Sequence, residues 1–356
     1  MIGGKRRLYF FGALCGVFAY QFIFPLPMGR EIAAVPVWTA PADGALAAYP
    51  GNAAARAAGF SLAGFLGYID ENGGILFREK VDYDAAVHDE FFVNYSALPR
   101  NLMTRSPDGT FIGTIGESGY PFIRGDRLFL LSADGFALSE WTVNGDLVWE
   151  KKFSSLITAV DAGPETAIVG LLAGGVHLLG KDGAEIFTSP AEGSRYPVAL
   201  QVGISGGDRI LAAVSGIGPQ KLSVFEKTPK EYRLLESREL PSGYRRAVKG
   251  RFFSPDDFFV FEQPGGIAIY HPRTKRLVET ALPGILLALA DYPGRGLLFA
   301  LTEKGEKLHC TGFLPSGKKV LQFDFPKSPS FFLRRSGDFL LLGLGNRLFR
   351  IDMRIG

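Results

Sequence analysis

Between Arg124 and Phe153 three short apolar runs, Leu128–Leu131, Phe136–Val143 and Leu147–Phe153, are separated by Ala133-Asp-Gly135 and Asn144-Gly145. Asn and Gly accept the positive φ that tight hairpin turns require, so this pattern predicts a meander of three strands. The pattern recurs along the chain. Gly64–Asp70 and Ile75–Val81 flank Glu71-Asn-Gly-Gly74, and Asn101–Thr104 and Thr110–Ile115 flank Ser106-Pro-Asp-Gly109. Further hairpins follow at Val176–Leu179 before Lys181-Asp-Gly183, at Lys221–Glu226 with Tyr232–Leu240, and at Gly266–Tyr270 with Arg276–Leu282. Lys307–Phe313 pairs with Lys318–Phe325, and Phe339–Gly343 with Arg347–Asp352. Ser205-Gly-Gly-Asp208, Ser254-Pro-Asp-Asp257 and Ser336-Gly-Asp338 form a second signature, each just before an apolar run, where one strand turns into the next.

Upstream of Phe60 the alternation stops. Residues 29–59 are rich in Ala, Pro and Gly and read as a linker, with strand character only around Val35–Thr39. Before them, Lys5-Arg6-Arg7 precedes a nearly unbroken apolar run from Leu8 to Phe24, which Met28 extends. A run of that length predicts a transmembrane signal anchor over 8–28. The basic cluster at 1–7 places the N-terminus in the cytoplasm, with the remainder across the membrane. Pro25-Leu-Pro-Met-Gly-Arg30 offers no small-x-small cleavage site, and Leu14 before Cys15 is too large for a lipoprotein signal.

The hairpin turns repeat every 35 to 46 residues, roughly the spacing of four-stranded propeller blades. The Ser-Pro-Asp-Gly turns resemble those of WD-repeat and related bacterial propellers. Gly125–Gly135 followed by Asn144–Glu150 is similar to the quinoprotein-like (PQQ-type) repeat. That resemblance implies that Trp149, on an outermost strand, packs between neighbouring blades. The expected fold is an all-β propeller over 60–356 with seven blades, eight being the alternative. Ser330–Arg334, Phe339–Gly343 and Arg347–Asp352 would form the last blade, completed by an N-terminal strand from Val35–Thr39 or from Gly64–Val81.

Composition narrows the chemistry. A hydrophobic fraction of 47% with 30 Phe predicts a large core, and 45 Gly and 22 Pro must then be turn punctuation. The net charge of +3 is matched by Lys5, Arg6 and Arg7 alone, so a nucleic-acid partner has no electrostatic support. Cys15 and Cys310 read as separate thiols without a bridge. None of His88, His177, His271 and His309 has a second His or a Cys at ligand spacing, so no metal is expected. His88-Asp-Glu90 reads as a solvated turn. No nucleophile elbow, phosphate loop or dinucleotide fingerprint is present, so no cofactor and no enzymatic activity is expected. A quinone-binding enzyme would need a Trp floor and a calcium set, and this chain has three Trp and no adjacent cysteines. Arg245, Arg246, Lys249 and Arg251, backed by Phe252-Phe253, form the one candidate partner-binding segment. The expected role is a membrane-anchored scaffold that binds a protein of the bacterial envelope. The alternative is a small-ligand sensor or enzyme working through the central channel.

Overall fold

The computed structural model describes residues 32–47, 57–98, 100–190, 193–254, 257–292 and 296–355. Over these residues the chain forms 31 strands in eight antiparallel sheets and no helix. The sheets are blades in chain order, spanning 58–80, 84–115, 119–152, 157–189, 196–240, 250–281, 285–326 and 331–355. Eight blades thus replace the expected seven. The anchor expected over 8–28 lies outside the described residues. Among the described residues no helix is long and apolar enough to cross a membrane.

The apolar core lies between blades. Eight clusters of buried side chains fill the gaps between successive sheets, from Leu66, Tyr68 and Phe92 between blades 1 and 2 to Phe60, Ile69, Leu341 and Leu348 between blades 8 and 1. Each sheet therefore buries both faces, which is why the blade strands read as apolar runs such as Phe258–Gln263 and Phe339–Leu344. Ring closure uses both ends of the chain. Strand Ile32–Pro41 pairs antiparallel with Arg347–Ile355 and becomes the outermost strand of blade 8.

Blade 1 explains why the sequence suggested seven. It has only three strands, Ala58–Leu62, Phe65–Ile69 and Ile75–Lys80. The first is short and contains Gly59, so it left little alternation to read. In the other seven blades the chain enters on the innermost strand and runs outward, and these seven inner strands run in the same direction. With an odd number of strands, the link to blade 2 starts on the correct side only if Ala58–Leu62 runs the opposite way. Hydrogen bonds fix this reversal. The Gly59 amide donates to Asp89 just past the end of the blade 2 inner strand, and Ala63 donates to Ser330 just before the start of the blade 8 inner strand.

The turns that lead into the outermost strands do more than reverse the chain. Gly73, Gly109, Gly145 and Gly183 all have positive φ, and each lies against the outermost strand of the preceding blade. A Cβ on Gly183 would fall 2.7 Å from Trp149, and one on Gly73 would fall 2.9 Å from the Trp38 ring. Trp149 is buried between blades 3 and 4, as its position in the repeat implied. Trp38 is half-buried at the closing seam, where its indole N–H donates to the Glu71 carbonyl at 2.8 Å.

Candidate functional site

Two faces follow from the shared direction of seven inner strands. We call the side where they begin the upper face and the side where they end the lower face. The lower ends of those strands surround an axial cavity of about 860 Å³, to which blades 2 to 8 all contribute. Its charged lining comes from His88, Arg124, Asp161, Arg251, Asp291 and Arg334. The last residues of these seven inner strands converge here because the blades are radially arranged and the seven strands end at the same level.

Three of these groups have polar side-chain partners. Arg334 meets Asp89 at 2.6 Å and also donates to the Gly59 carbonyl at 2.9 Å, fastening blade 8 to blades 1 and 2. Asp291 faces Arg335 at 3.7 Å, and His88 faces Asp126 at 3.2 Å. The segment His88–Asp89, read from the sequence as a solvated turn, is therefore a ring-closing junction. Arg124, Arg251 and Asp161 differ. Arg124 donates to the Val160 and Ile123 carbonyls at 3.3 and 3.0 Å, and Arg251 lies 5.1 Å from the Phe253 ring centroid. One Asp161 oxygen accepts from the Ile204 amide at 3.0 Å. Among the described residues neither arginine has a carboxylate within ion-pair distance. Enclosure by the channel wall lowers the pKa of Arg124 and raises that of Asp161, although the arginine retains contact with channel solvent.

The lower face is also stitched laterally. Arg127 of blade 3 donates to the Gly163 and Thr166 carbonyls of blade 4 at 3.0 and 2.7 Å. In turn, Asp208 of blade 5 accepts from the Glu165 amide at 2.9 Å and from the Thr166 hydroxyl at 3.1 Å. Asp208 closes the Ser205-Gly-Gly-Asp208 turn noticed in the sequence, so that signature joins blades as well as strands.

The upper face has a different character. Tyr83, Leu98, Tyr120, Phe136, Leu156, Leu172 and Tyr196 are all exposed on its turns and strand starts, in blades 2 to 5. Those of blades 3 to 5, Phe136, Leu156, Leu172 and Tyr196, lie on turns and strand starts that touch one another. Leu172 N donates to the Leu156 carbonyl, Ile157 N donates to the Gly135 carbonyl, and the Leu172–Gly175 turn packs on Pro197 beside Tyr196. Tyr83 forms a tilted ring pair with Tyr95, whose hydroxyl donates to Asp84 at 3.1 Å. Burial and the Asp84 charge push the Tyr95 pKa upward.

The basic segment predicted from sequence is divided by the fold. Arg246 forms a two-pronged pair with buried Glu262 at 2.6 and 2.9 Å and packs 4.6 Å from the Tyr244 ring centroid. Arg251 turns into the channel. Arg245 and Lys249 remain exposed near the upper face of blade 6. Of the histidines, His177 meets Glu185 at 2.8 Å and His309 meets Asp324 at 2.7 Å, while His271 contacts the Pro315 carbonyl at 3.0 Å. Among the described residues no three His, Cys, Asp or Glu side chains gather as a metal-binding group. Cys310 is buried in the core between blades 7 and 8, where desolvation raises its thiol pKa.

Eight up-and-down sheets around an axial cavity define a β-propeller. A family model described as beta-propeller protein matches residues 1–356, and the chain belongs to that family. An uncharacterized protein of Treponema pallidum (strain Nichols) is 22% identical over 315 residues, covering 85% of this chain and 83% of that one. The chain is similar in structure to BamB from Moraxella catarrhalis, with a TM-score of 0.62, 15% identity, and coverage of 90% of this chain and all of that one. The computationally designed Ika8 protein gives a TM-score of 0.62 at 15% identity, covering 84% of this chain and 97% of its own. The WD40 domain of Toxoplasma gondii coronin gives 0.57 at 11%, covering 93% and 88%. At such identities these structures share the fold alone. They support the likeness to bacterial and WD-type propellers, whereas the quinoprotein-type repeat rests on residues 125–150 only.

Proposed function

We propose that this protein is a non-enzymatic interaction scaffold that binds a protein partner through its upper face. One observation carries the reading: large apolar side chains of four successive blades, 2 to 5, lie exposed together on one side of a rigid ring. Isolated exposed apolar residues are ordinary, but a run of neighbours on one face is the usual mark of an interaction site. Aromatic side chains suit this use because they supply large contact area with few rotatable bonds. Arg245 and Lys249 at the edge of the same face would favour a partner with an acidic border. The basic and then apolar N-terminus supports a location on the outer side of a bacterial cytoplasmic membrane, with an envelope protein as the partner.

The test uses the full-length chain in its native membranes. A photo-crosslinking amino acid is placed at Phe136 or Leu172, and in a control at Leu234, an exposed position on the outer strand of blade 5. Discrete adducts from the two upper-face positions and none from Leu234 are expected. Equal adducts from all three positions, or none, would refute the assignment of the upper face.

A further inference from the structure

We propose that the lower end of the central channel is a binding site for a small multivalent oxyanion, of the phosphate or polycarboxylate class, held between Arg124 and Arg251. Three observations carry this inference, and none depends on the role proposed for the upper face. The first is the cavity itself. Its volume of about 860 Å³ falls in the range of small-molecule sites, and inner strands of seven blades frame it. The second is the charge count. Of the six titratable groups lining it, Arg334, Asp291 and His88 face Asp89, Arg335 and Asp126 respectively. That leaves two guanidinium groups and the single carboxylate of Asp161, an excess of one positive charge in a channel open to solvent.

The third observation is the unfilled donor capacity. Arg124 places Nε and Nη1 on backbone carbonyls and leaves Nη2 without a hydrogen-bond partner among the described residues. Arg251 has an aromatic neighbour but no hydrogen-bond acceptor among the described residues. The planar guanidinium fork matches the paired oxygens of phosphate and carboxylate, and two forks from different blades match a ligand with two anionic ends. Desolvation in the channel lowers the pKa of Arg124; the Asp161 charge opposes this and the Arg251 charge adds to it. The charge of a bound anion would favour the protonated guanidinium. Asp161 has a second part to play. Its carboxylate sets a limit on affinity, because it is a like charge for any anion that enters.

The experiment is isothermal titration calorimetry on the purified full-length chain at constant ionic strength, with inorganic phosphate and citrate as separate probes and chloride as the reference. One saturable site per chain is expected. Phosphate binding equal to or tighter than citrate binding would indicate a phosphate-type ligand, and the reverse a polycarboxylate. Arg124→Gln and Arg251→Gln should each weaken binding about tenfold or more, the loss of one charge-assisted pair. Asp161→Asn should tighten it several-fold. That opposite sign distinguishes a charge-matched site from general disturbance of the channel. Thermal melting without ligand checks each variant for folding. Arg251→Gln alone suffices if Arg124→Gln does not fold, because the Arg251 side chain makes no hydrogen bond within the described structure. No saturable binding of either probe up to about 10 mM, or binding unchanged in Arg251→Gln, would overturn the proposal.

Discussion

Glu140→Gln tests how the blades are held together. Glu140 lies on the third strand of blade 3, and its side chain is about one-tenth exposed. One oxygen accepts from Arg127 Nε at 2.8 Å. The other accepts from Arg127 Nη2 and from the Trp149 indole N–H, each at 2.6 Å. Arg127 then carries the connection to the Gly163 and Thr166 carbonyls of blade 4. A glutamine has one acceptor where the carboxylate has two. Keeping its oxygen toward Nη2 and Trp149 turns its amino group toward Nε, so one charge-assisted bond becomes a donor-to-donor contact. The guanidinium also loses its counter-charge in a buried setting. Losing one such bond costs about 1.5–3 kcal/mol, and stripping the partner from a buried pair costs about 3–5. Arg127 keeps its two bonds to blade 4, so the lower end, about 3 kcal/mol, is expected. Urea unfolding followed by both circular dichroism and tryptophan fluorescence reads this as a lower midpoint with an unchanged slope. Combining Glu140→Leu with Arg127→Met should destabilise by at least about 1.5 kcal/mol less than the two single changes together. Glu165→Gln, in an exposed pair with Lys181, should change stability by less than about 0.5 kcal/mol. A loss below about 1 kcal/mol for Glu140→Gln, or additive effects in the double variant, would refute the reasoning.

Two other outcomes follow from turn geometry and burial. Gly145 and Gly305 both have positive φ, but a Cβ on Gly145 would fall 2.2 Å from the Thr114 carbonyl oxygen, whereas one on Gly305 meets nothing within 4 Å. Asn tolerates this backbone region, so thermal melting should show Gly305→Asn close to wild type and Gly145→Asn several degrees lower; equal shifts would mean that the turn does not pack on blade 2. Burial and the Asp208 charge push the Tyr232 pKa up from 10.0 to about 12. A raised pKa in the folded state means a contribution that is whole below about pH 10 and is lost as the pH climbs toward about 12. The stability difference between wild type and Tyr232→Phe should therefore shrink across that window, and a constant difference would show that the phenol titrates as freely as in the unfolded chain.

The two faces of the ring place different demands on the sequence. Upper-face residues such as Phe136 and Leu156 sit at turns, where an apolar side chain has no core to enter and stays exposed. Lower-face residues such as Arg124 and Asp161 end inner strands and meet only because the ring brings distant blades to one axis.

What the sequence determined by itself was local. Alternation of apolar and polar residues, with Asn-Gly and Asp-Gly turns, located the hairpins because strand and turn preferences act over a few residues. The repeat spacing then implied blades, and the position of Trp149 implied its place between them. The number of blades was decided in three dimensions. Ala58–Leu62 has too little alternation to announce a strand, and only the closing pair of Ile32–Pro41 with Arg347–Ile355 makes the first hairpin a blade of its own. The same holds for the channel. Arg245, Arg246, Lys249 and Arg251 are close in sequence, yet Glu262 claims Arg246 and the strand directs Arg251 inward. Arg124, Asp161 and Arg251 belong to blades 3, 4 and 6, and no local pattern relates them. Their meeting is a consequence of ring closure, which couples residues by angle around an axis and not by distance along the chain.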